Sequence, residues 1–62
     1  MSAHAELSSV ATVLDELAAR LAKIAEGLTA GERDSLSADL SEVERNLGNA
    51  SRRMARLVAS TA

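Results

Sequence analysis

The sequence predicts an all-α fold, an antiparallel two-helix hairpin on a coiled-coil seam that dimerises into a four-helix bundle. Three observations lead there. Apolar residues recur at alternating steps of three and four along two stretches, the spacing of one helix face wound against another. A helix-start signal stands between those stretches. Proline is absent, and no segment shows the period of two that a strand needs.

The first stretch is Leu7, Val10, Leu14, Leu17, Leu21, Ile24 and Leu28, which predicts a helix over about residues 5–27. The second is Leu36, Leu40, Val43, Leu47, Ala50, Met54 and Leu57, which predicts a helix over about residues 30–60. Between them, in TAGERDS, Thr29 and Glu32 have the spacing of a capping box, where each side chain satisfies an orphan amide of a new helix. Gly27 can end the first helix by taking the left-handed conformation, and Gly31 is a competing stop. That leaves a turn at about residues 28–30, short enough to force the helices antiparallel. With Leu28 opposite Leu36, the layers become Ile24 with Leu40, Leu21 with Val43 and Leu17 with Leu47. Leu14 with Ala50, Val10 with Met54 and Leu7 with Leu57 complete them, in one domain spanning residues 1–62.

Small residues flank the apolar runs in columns seven apart. Ala11, Ala18 and Ala25 form one, and Ser41, Gly48 and Ala55 the other. Such columns let helix backbones approach closely, so they are the candidate oligomer interface for a second hairpin, with Val13 and Val58. The heptad passes through Gly48 without a change of phase, which favours close packing there over a hinge between residues 47 and 49. On size alone a partner is usually needed, either a second copy or the helices of a different protein. Below roughly 70–80 residues a single core supplies little net stability, and this chain has 62.

Charge is segregated along the chain. Residues 1–44 sum to −6, whereas residues 45–62 carry Arg45, Arg52, Arg53 and Arg56 with no acid and sum to +4. Folding back brings the basic end beside Glu6, Asp15 and Glu16, and the pairs Glu6–Arg53 and Arg20–Asp39 would specify the antiparallel orientation. Arg45, Asn49, Arg52 and Arg56 share one outward face and form the candidate partner-binding stripe. A stripe like this can take an acidic protein surface or nucleic-acid phosphates. Against nucleic acid stand a net charge of −2 and the lack of any aromatic ring on which bases could stack.

Several functions are disfavoured by what is missing. The chain has no cysteine and one histidine, so thiol nucleophiles, disulfides and histidine-rich metal cages are excluded. His4 would complete an amino-terminal copper or nickel site only if Met1 were removed. The acid pairs Asp15–Glu16 and Glu42–Glu44 point to different helix faces, and a hairpin offers no deep pocket, so no enzyme, cofactor or small-molecule substrate is expected. No signal sequence or membrane span is present, and an amphipathic membrane helix would need a lysine-rich polar face, so the expected location is the cytoplasm. In length and plan the hairpin resembles the small RNA-one-modulator proteins, which dimerise into such bundles and bind paired RNA loops. The resemblance is one of architecture, without shared motif residues or the aromatic those proteins use. The expected function is a small, non-catalytic protein–protein interaction module. It pairs with itself or with a helical partner protein, which it could serve as adaptor or regulator. The alternative is a small nucleic-acid-binding regulator that uses the arginine stripe.

Overall fold

A computed structural model describes residues 2–62 and contains two helices, α1 (Ala3–Glu26) and α2 (Ala30–Ser60), packed against each other as a hairpin. The molecule measures 46 × 15 × 12 Å, the length of one 31-residue helix. Helix α1 begins two residues earlier than expected because Ser2 caps it, its hydroxyl accepting from the Ala5 amide at 3.2 Å.

The reversal takes three residues. The Gly27 amide donates to the carbonyls of Lys23 and Ile24 at 3.2 and 3.1 Å. Gly27 has φ −90° and ψ 3°, so the expected left-handed stop is not used. Any residue can adopt that conformation, and the chain turns because Thr29 is extended. The capping box then starts α2 as expected. The Thr29 amide donates to Glu32 Oε1 at 2.9 Å, and the Glu32 amide donates to Thr29 Oγ1 at 3.2 Å. These bonds favour the ionised form and hold the Glu32 carboxyl below its ordinary value. Gly31 lies inside the first turn of α2 and stops nothing.

One contact closes the open end of the hairpin. His4 Nδ1 is 3.0 Å from Thr61 Oγ1, whereas the predicted layers would put Ser60 at that level. The Thr61 hydroxyl also donates to the Val58 carbonyl at 3.0 Å, which ties the same side chain to the last turn of α2. The half-buried residues along the contact include Leu7, Ala11, Leu14, Ala18, Leu21 and Ala25 on α1 and Leu40, Leu47, Ser51, Met54 and Val58 on α2.

The physical reason is the alternation of size. In the predicted layers bulky side chains mostly meet bulky ones. In the observed seam Ala11, Ala18 and Ala25 alternate with Leu7, Leu14 and Leu21 on α1, against Leu40, Leu47, Ser51, Met54 and Val58 of α2. Large against small lets two helix backbones approach more closely than leucine against leucine. The alanine column expected to receive a second hairpin therefore lies in the seam with α2. Half the predicted seam turns outward in exchange: Val10, Leu17 and Ile24 on α1 and Leu36, Val43 and Leu57 on α2 are 43–56% exposed. The pairs expected between Glu6 and Arg53 and between Arg20 and Asp39 would lie on the surface of the hairpin. All four side chains are exposed, where water competes with the partner.

Candidate interaction surfaces

Two surfaces stand out, one apolar and one basic. The apolar surface follows from a third apolar column on each helix. Relative to Leu7, Leu14 and Leu21, the column Val10, Leu17 and Ile24 is turned to one side. Relative to Leu40, Leu47 and Met54, the column Leu36, Val43, Ala50 and Leu57 is turned likewise. Because the helices are antiparallel, both turns lead to the same face of the hairpin. Leu17, Ile24 and Val43 accordingly line one shallow groove with Leu21, Leu47 and the stem of Arg20. Val13, at 49% exposure, lies at its edge. A stripe three columns wide is what a helix presents when it has neighbours on two sides rather than one. Single exposed apolar residues are common; a continuous apolar face is not.

The basic surface is a shallow hollow near the end of α2 lined by Asn46, Asn49, Ala50, Arg52, Arg53 and Arg56. It unites three members of the predicted stripe, Asn49, Arg52 and Arg56, and leaves out Arg45, which is exposed elsewhere on the helix. It adds Asn46 and Arg53. Their signal is legible, since Asn46 precedes Asn49 by three and Arg53 by seven, but the charge pattern assigns Arg53 to Glu6. Arg52 Nη2 donates to Asn49 Oδ1, which orders one guanidinium before any ligand arrives. A planar guanidinium held in this way suits carboxylate or phosphate oxygens.

Of the small columns, Ser41 and Ala55 are exposed and Gly48 is half-buried and helical, with no break at residues 47–49. A Cβ added at Gly48 would meet only Arg52 Nη1, at 3.6 Å, so the helices do not close on that glycine within the hairpin. Ser51 is the one residue whose side-chain oxygen is buried without a hydrogen-bond partner among the described residues. No group of three metal-binding side chains converges among them either. The copper or nickel site considered with His4 would need Ser2 as its first residue, and Met1, which precedes it, lies outside the described residues. No helix is long and apolar enough to cross a membrane.

Comparison with protein-family models, curated proteins and solved structures finds no match to this chain.

Proposed function

We propose that this chain is a self-associating helical interaction module, in which two hairpins meet through the outward apolar face to form a four-helix bundle. One observation carries the proposal. Among the described residues no side chain is buried, while seven large apolar ones are 43–56% exposed. Burying a large apolar side chain contributes about 1.5–3 kcal/mol, so an isolated hairpin forgoes much of the stabilisation its own sequence offers. A second copy recovers it with residues already present. On this reading the bundle is a non-catalytic adaptor or regulator, and its outer surfaces are left for a partner protein.

Sedimentation at micromolar concentration tests the proposal. The expected species has twice the 6.5 kDa chain mass, with a melting temperature that rises with protein concentration. A folded monomer whose melting is independent of concentration would overturn it.

The arginine hollow supports a second reading, contact with nucleic-acid phosphates. Arg52→Ala with Arg56→Ala separates that reading from an acidic protein partner. If phosphates are bound, the wild-type chain retains RNA or DNA at physiological salt. The double change then weakens binding across all sequences and flattens the salt slope by about two ions. If the partner is an acidic protein, nucleic acid is not retained by either chain.

A further inference from the structure

The apolar face is bordered by charges whose order matters. On α2, Asp39, Asn46 and Arg53 each follow a member of the outward column by three residues: Leu36, Val43 and Ala50. They form one exposed edge of the face, acidic at the turn end, neutral in the middle and basic at the far end. A column with this order is its own complement when reversed. An antiparallel copy of α2 laid along it would bring Asp39 to Arg53, Asn46 to Asn46 and Arg53 to Asp39.

From this edge we infer that, in the self-association proposed above, the occupant of the apolar face is a second copy rotated about an axis perpendicular to the helices. The axis passes beside Asn46, α2 lies against α2, α1 lies against α1, and the two turns point to opposite ends of the bundle. The same rotation sets Val43 against Ala50 of the second copy and Leu36 against its Leu57, within a residue of the level the charges require. In the His4–Thr61 register, Asn46 stands about level with Ala19 on α1. The axis therefore also passes between Leu17 and Arg20 on α1, so the Leu17 side chain and the stem of Arg20 lie near it in both copies.

The competing arrangement places both turns at the same end and α1 against α2 of the second copy. There Arg53 comes within a residue of the level of Val13, and Arg20 within a residue of Asn46. That arrangement covers the same apolar face but makes no opposite-charge pair from these edges. Exposed pairs are individually weak, yet here they separate two docking geometries that bury the same apolar residues.

Asn46→Cys in the full chain tests the inference, with Arg56→Cys on the outward surface as reference. Under mild oxidation the Asn46→Cys chain should form an intermolecular disulfide rapidly and nearly completely, while Arg56→Cys crosslinks slowly. A charge exchange gives a second readout. Asp39→Lys and Arg53→Asp should each raise the dimer dissociation constant by roughly tenfold, and the double exchange should restore most of it. If the chain sediments as a dimer but Asn46→Cys crosslinks no faster than Arg56→Cys, and the double exchange restores nothing, the geometry is wrong and self-association stands. If the wild-type chain is a monomer, both are wrong.

Discussion

The inner seam and the outer face of this hairpin are built from the same residue types at the same spacing, yet they do different work. The inner seam alternates large and small, as in Leu14 and Ala18 on α1 and Leu47 and Ser51 on α2, and it is half-buried. The outer face is bulky throughout except at Ala50, and it stays exposed. The lesson is one of geometry. Two helices drawn close by small residues shield the columns between them and push the remaining bulky column aside. That column then sets the demand for a neighbour.

The sharpest way to break the comparison is to charge the outer face. Leu17→Asp with Val43→Asp removes two large apolar side chains per copy and places four carboxylates in a desolvated contact. Dimerisation should weaken on the order of 100-fold or more, measured by sedimentation equilibrium. Ala19→Asp, on the surface away from both faces, is the control and should leave it unchanged. Equal association by the doubly charged chain would show that the outer face is not an interface.

On the inner seam the expected change has the opposite sign. Ser51 buries a hydroxyl without a partner, a cost that Ser51→Ala removes. The variant should gain on the order of 1 kcal/mol in denaturant unfolding, helped by the better helix propensity of alanine. A loss instead would mean that the hydroxyl finds a partner in solution.

At the turn, which belongs to neither face, Thr29→Ala should cost about 1 kcal/mol by removing the cap of α2. It should also change the pH profile. In the native chain the Thr29 amide, and after it the Thr29 side chain that the variant removes, hold the Glu32 carboxyl below its ordinary value. Glu32 therefore contributes stability that is present above its unfolded value and is lost as pH falls below about 4.5, through the lower folded value. Urea titrations across that range should show a shallower acid loss in Thr29→Ala than in the native chain.

The smallest effect is expected at Gly48, on the side away from the outer face. Gly48→Ala meets open space apart from its own Arg52 and should stabilise the helix by roughly 0.5–1 kcal/mol without altering association. Weaker association in this variant would move the interface back to the column Ser41, Gly48 and Ala55.

Much of the fold was legible in the chain itself. The number of helices, the capping box of Thr29 and Glu32 and the short reversal all follow from local rules, because heptad spacing and helix capping act over a few residues. The arginine stripe is legible for the same reason, except that the charge pattern assigns Arg53 to Glu6 and so leaves it out of the hollow it lines. The sense of the Gly27 stop was not legible, since a glycine permits a left-handed conformation without requiring it.

What the sequence by itself determined is that each helix carries a broad apolar stripe and that the two must run antiparallel. Only the tertiary structure decided which part of each stripe faces the other helix. A heptad marks columns around a helix but not which pair of neighbouring columns lies at closest approach. That choice depends on how near two backbones can come, a property of both helices together. Ala11, Ala18 and Ala25 decided it by fitting beneath the long side chains of α2. The exposure of Leu17, Ile24 and Val43 accompanies that choice.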